Sequence, residues 1–155
     1  MQQGRAAEGM EPGEPEPRVG FRYFADKAPE AAALVEPNGR IWPRRELAGA
    51  IDRMTRAFRA AGLAEGDAVA IVSPNCAEFV VAYMAALQAG LLAVPINWHL
   101  VDEEIAFILE DSEARAAVVH ASLSPKTLRA IEARLAIATR VCIGDAPKFV
   151  SFGDF

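Results

Sequence analysis

The chain is poor in the residues that most often carry chemistry. Its 155 residues include two cysteines, Cys76 and Cys142, and two histidines, His99 and His120. The cysteines lie far apart and form no C-x-x-C or Cys/His cluster. That excludes a disulfide framework and a zinc site, which needs about four suitably spaced ligands. Two such thiols read as free, buried side chains of a cytoplasmic protein. Basic charge is also scarce, since 16 Lys and Arg against 21 Asp and Glu leave a net charge of −5. Nucleic acid, which demands a concentrated basic footprint, is thereby excluded as a partner. Unbroken apolar runs of membrane-spanning length are missing too. The best candidate, Phe79 to Ile96, is interrupted by Gln88, Gly90 and Pro95. It reads as a buried helix followed by a buried strand, with no transmembrane segment.

What remains is the composition of a globular domain: 52% hydrophobic and 24% charged residues. A chain of this length buries roughly two-thirds of its unfolded surface. Residues 1–20 stand apart, with four Glu, three Pro and four Gly and no apolar core of a signal peptide. They read as a disordered arm.

Beyond the arm, Phe21 to Lys27 predicts a short helix stopped by Pro29. Ala31 to Glu36 and Arg40 to Trp42 flank Pro37-Asn38-Gly39, and the Asn-Gly pair predicts a hairpin closed by a type I′ turn. Pro43 to Ala61 predicts an amphipathic helix. Its Leu47, Ile51, Met54 and Phe58 line one face at intervals of four, three and four, with Gly62 as the stop. Its other side carries Arg45, Asp52, Arg53, Arg56 and Arg59, a solvated charged face. From Asp67 onward, strands and helices alternate. Strands are predicted at Asp67–Val72, Leu91–Pro95, Arg115–His120 and Arg140–Ile143. Helices are predicted from Asn75 (N-cap, with Glu78 reaching back) to Ala89, at Asp102–Glu110 and at Pro125–Ala136. Such alternation implies an α/β fold, a parallel sheet with helices on both faces, preceded by a β-hairpin.

Sites for chemistry are hard to find in this frame. Neither G-x-G-x-x-G nor G-x-x-x-x-G-K-[ST] occurs. The cluster Gly62-Leu63-Ala64-Glu65-Gly66-Asp67 precedes a strand, whereas a phosphate cradle lies between a strand and a helix. Ser73-Pro74-Asn75 does occupy a strand-to-helix junction, but Pro74 has no N–H to offer an anion. Asp102, Glu103 and Glu104 open a helix, where the dipole favours negative charge, and Glu110 and Asp111 read as surface. His99 and His120 follow strands without a nucleophile or orienting acid nearby in sequence, and no G-x-S-x-G elbow is present. The expected catalytic, cofactor-binding and metal residues are therefore none.

One ordered series is more specific. Gly62-Leu63-Ala64-Glu65-Gly66-Asp67-Ala68-Val69-Ala70-Ile71 is followed by Pro74-Asn75 and Glu78-Phe79. Ala89-Gly90, Val94-Pro95-Ile96-Asn97, Glu104-Ile105 and Ile108-Leu109-Glu110-Asp111-Ser112 continue it. The series resembles the N-terminal part of AMP-forming acyl-CoA synthetases and related adenylating enzymes, with Asn97-Trp98-His99-Leu100 most similar to the fatty-acyl members. Pro43-Arg44 depart from the Thr-Tyr that often precedes the Glu46-Leu47 helix.

The resemblance implies ATP, Mg²⁺ and CoA for a full-length enzyme that adenylates a fatty or other organic acid and passes the acyl group to a thiol. It also implies that the Ser/Thr/Gly-rich phosphate loop, the adenylate-binding acids and the catalytic lysine lie outside residues 1–155. The expectation is an N-terminal α/β subdomain at residues 21–155 that binds none of these ligands and is inactive alone. A noncatalytic α/β module that pairs with another subunit is the alternative, and a homo-oligomer is compatible with either.

Overall fold

The structure, a computed structural model, describes residues 20–155; the arm reading for residues 1–20 lies almost wholly outside them. Helix α1 (Phe21–Lys27) leads into strands β1 (Ala32–Val35) and β2 (Ile41–Pro43), and then into α2 (Arg44–Ala60). The remaining elements are β3 (Ala68–Val72), α3 (Ala77–Gln88), β4 (Leu92–Ile96), α4 (Asp102–Asp111), β5 (Ala116–His120), α5 (Pro125–Glu132), β6 (Thr139–Ile143) and β7 (Val150–Ser151).

β1 and β2 form the antiparallel hairpin, but its turn is not type I′. The Gly39 N–H donates to the Glu36 carbonyl at 2.8 Å, so Pro37 and Asn38 are the central residues, and the Glu36 N–H reaches the Arg40 carbonyl at 2.9 Å. Gly39 has φ +86°, whereas Asn38 is not among the described non-glycine residues with positive φ. Pro37, locked near φ −65°, suits the first central position of a type I turn, and Gly39 supplies the left-handed residue that completes the bulge.

The main sheet has the order β4-β3-β5-β6-β7, and every pairing is parallel. Side chains alternate across it. Val69, Ile71, Val118 and Val141 meet α2 and α3 on one face. Ala70, Val72, Ala117, Val119 and Cys142 meet α4 and α5 on the other. Central strands buried on both sides explain the unbroken apolar runs of β3 and β5. β4 is an edge strand, so Pro95 costs no ladder bond on the outer side.

Most boundaries fall within one or two residues of expectation, and two features depart further. α5 ends at Glu132 rather than Ala136, because the chain turns at Ala133 to bury Ile137 (1% exposed) while Leu135 points into solvent. β7, two residues long, was not anticipated.

The glycine-rich series now has a structural account at the amino edge of the sheet. Gly66, at φ +86°, donates its N–H to the Gly90 carbonyl at 2.9 Å and turns the chain into β3. The Asp67 carboxylate accepts the Ala64 N–H at 2.8 Å, and Arg115 Nη1 reaches both Asp67 oxygens at 3.1 and 3.2 Å. These contacts tie the starts of β3, β4 and β5 together, at the end of the sheet opposite the one where α/β proteins bind ligands.

Candidate functional site

In a sheet of this order the chain leaves β3 toward β4 on one side and returns to β5 on the other. The point of reversal, at the carboxyl ends of β3 and β5, is where open α/β sheets form ligand crevices. Ser73 follows β3 there, His120 ends β5, Asn97-Trp98-His99 follow β4, and Gly144 follows β6.

The side chains at this edge are occupied by local structure. Ser73, 4% exposed, donates its hydroxyl to the Pro74 carbonyl at 2.9 Å. The N-cap of α3 is Cys76, not Asn75: Cys76 is extended (φ −145°, ψ 173°) and its Sγ accepts the Phe79 N–H at 3.4 Å. Glu78 then falls one position short of the place from which a capping-box acid reaches back. Asn75 is left exposed. Burial pushes the Cys76 thiol up, against the Phe79 N–H that favours the thiolate, so this half-buried sulfur is not an activated nucleophile. Cys142 is fully buried in β6, and its thiol is likewise raised by burial.

Both histidines serve loops. The His99 N–H donates to Asn97 Oδ1 at 3.0 Å, and the His99 ring lies 3.8 Å from that of Trp98. His120 Nδ1 accepts the Ser122 N–H at 3.0 Å, which places the proton of a neutral ring on Nε2. Ser122 Oγ lies 2.8 Å from the same nitrogen. No carboxylate completes a relay with either ring among the described residues.

The acidic group at the start of α4 proves more specific than a solvated helix end. Asp102 Oδ2 pairs with Lys126 Nζ at 3.1 Å, and Lys126 also reaches Glu103 at 3.0 Å. Asp102 Oδ1 accepts from the Thr127 hydroxyl and, at 3.3 Å, from Ser124, the N-cap of α5. These bonds hold the Asp102 carboxyl below the usual carboxylate range, Thr127 contributing most and Lys126 next. Glu103 is lowered chiefly by Lys126. Glu104 Oε2 accepts the Val101 N–H at 3.1 Å. The cluster clasps α4 to α5, and a sequence separation of 24 residues between Asp102 and Lys126 hid it from pattern reading. Glu110 makes a surface pair with Arg134 at 3.5 Å, and Asp111 is exposed.

No group of three or more His, Cys, Asp or Glu suited to a metal occurs among the described residues. A cleft of about 560 Å³ lies elsewhere, between α2, the start of α3 and residues 152–155. Its floor is Trp42, Met54, Val81 and Phe155, and Arg53 and Arg56 stand at its rim.

A parallel sheet in this order, with a latched amino edge and a separate hairpin, defines an architecture that comparison with known proteins assigns. The family model described as AMP-binding enzyme matches residues 21–152, and the chain belongs to that family. It is 33% identical over 106 residues to the long-chain-fatty-acid–CoA ligase FadD13 of Mycobacterium tuberculosis, which covers 68% of this chain and 21% of that protein. It is 35% identical over 106 residues to tyrocidine synthase 2 of Brevibacillus parabrevis, covering 68% of this chain and 3% of that one. A solved putative long-chain-fatty-acid CoA ligase from Rhodopseudomonas palustris superposes with TM-score 0.79 at 26% identity, over 86% of this chain and 34% of that one. The chain thus spans about a fifth of the first of these relatives.

Proposed function

We propose that this chain is the N-terminal α/β subdomain, residues 21–155, of an ATP-dependent acyl-CoA synthetase acting on fatty acids. The supporting observation is the family match across residues 21–152. The whole enzyme would join a carboxylate to the α-phosphorus of ATP with loss of pyrophosphate, and then exchange AMP for the thiol of CoA. Mg²⁺ would supply charge neutralisation at the phosphates.

This chain's contribution to that reaction is positional. The latched amino edge fixes the strands, and the strands fix the loops at the carboxyl edge. Of the side chains there, the Ser73 hydroxyl and the Nδ1 of His120 are held in local hydrogen bonds. The Cys76 thiol is held protonated by burial.

The test is ATP–pyrophosphate exchange by the purified 155-residue chain across a panel of fatty acids. No exchange above the protein-free background is expected, and robust exchange would overturn the assignment of the chemistry to residues outside this chain. A stable complex with a different polypeptide, formed without any exchange activity in the pair, would favour the noncatalytic module instead.

A further inference from the structure

We infer that the outer strip formed by α4 and the edge strand β4 docks a cationic amphipathic helix of a partner protein. The 10 residues of α4 include five carboxylates and no Lys or Arg. Two of its features oppose the helix's own stability. Glu110 and Asp111 stand in the last turn, where the dipole favours cations. Phe107, at mid-helix, is 67% exposed, while Ile105 and Leu109 take the buried side. Glu103, Glu104, Glu110 and Asp111, all exposed, surround Phe107 at three and four residues on either side. A cationic partner that covers the ring offsets both costs at once.

The neighbouring elements set where that partner lies. Asp102 and Glu103 reach Lys126, and Glu110 reaches Arg134, so this side of α4 faces α5. Lys126 and Arg129, both exposed on α5, bound the acidic strip there. Glu104, Ile108 and Asp111, at steps of four and three, form the opposite side, toward the outer edge of β4. In β4, Val94 and Ile96 pack on the α4 face of the sheet. Leu92, two residues earlier, points the same way and is 59% exposed. Leu92, Val94, Phe107 and Ile108 thus supply an apolar surface edged by carboxylates.

A helix, rather than an added strand, fits this surface. The Leu92 N–H donates to the Asp67 carbonyl at 3.0 Å, so the backbone groups of Leu92, Val94 and Ile96 face β3. Of the outward-facing pair, Ala93 and Pro95, only Ala93 has an N–H, so strand addition finds one donor. Recognition therefore falls to side chains. Glu104 and Asp111 are about 10 Å apart along α4. That matches cations at i and i+7 of a partner helix, with an apolar residue between them. A second copy under two-fold symmetry would instead set these carboxylates against the same carboxylates of its mate. Anionic lipid is repelled by the same charge.

Amide NMR on the intact, ¹⁵N-labelled chain tests this with two designed helical peptides of equal length, one Leu/Lys and one Leu/Glu. The Leu/Lys peptide should shift the amides of residues 92–94 and 104–111, and the Leu/Glu peptide should shift neither. Phe107→Ala and Glu104→Gln/Asp111→Asn should each weaken the Leu/Lys complex about tenfold, the second with a smaller salt dependence. Glu104→Gln retains an acceptor for the Val101 N–H. Glu30→Gln, at an exposed acid beside α2, should leave the affinity unchanged. A Phe107 amide unmoved by the Leu/Lys peptide, equal shifts from both peptides, or unchanged affinity in the Phe107→Ala chain would overturn the proposal. So would phosphatidylcholine vesicles, or dilution of the chain alone, moving the Phe107 amide when the Leu/Lys peptide does not. Those outcomes would seat a lipid or a second copy there.

Discussion

Asp67 sits where three strands begin, and its environment sets its charge. The Ala64 N–H lowers its carboxyl below the ordinary carboxylate range, Arg115 adds to that, and partial burial opposes both. A carboxyl depressed on folding stabilises the fold above its unfolded pKa of about 4, and that contribution is lost as pH falls through the lower folded value. Asp67→Asn should therefore lower the urea midpoint at pH 7 and narrow the gap between midpoints measured at pH 7 and pH 3. An unchanged gap would separate Asp67 from acid sensitivity. The sequence made Gly66-Asp67 legible as part of a family series, but not this role, because the partner Arg115 lies 48 residues away. Asn75 teaches the converse. It is the better capping residue by type, yet Cys76 takes the extended backbone from which a side chain can reach Phe79.

At the scale of elements, periodicity and turn chemistry located nearly every helix and strand. α2 was legible from one apolar stripe and β3 from an unbroken apolar run. Two features were not. β7 is too short to show a period, and it exists because β6 offers a free edge to Val150 and Ser151. The last turn expected of α5 is missing because Ile137, not Leu135, is needed under the sheet, a requirement set by tertiary packing. The α4–α5 clasp makes a direct prediction. Ser124 caps α5 by accepting the Thr127 N–H at 3.0 Å, so Ser124→Ala should cost about 1 kcal/mol, read from chemical denaturation. A cost near zero would mean that Asp102 alone secures the end of the helix.

For the whole molecule, the parallel sheet with helices on both faces was readable because each βαβ unit is local in sequence. The strand order and the point of reversal were not, since they depend on which side of β3 each crossover returns. Among the described residues no strand pairs with the outer edge of β4, where Leu92 is 59% exposed. An exposed apolar edge invites pairing with another chain. Leu92→Lys should reduce concentration-dependent light scattering by the isolated chain while leaving its circular dichroism unchanged. Equal scattering would place the association elsewhere.

The strand order also bears on biosynthesis. After β3 and β4 pair, β5, β6 and β7 join one after another at the opposite side, in the order in which the ribosome makes them. Each arriving strand meets a partner already in place, and no earlier strand waits for a later one to be inserted beside it. Domains fold as units from the N-terminal end during translation, at about 5–20 residues per second. Stalled nascent chains should thus gain protease protection stepwise, first at Val69–Val72, then at Val141–Ile143 and last at Val150–Ser151.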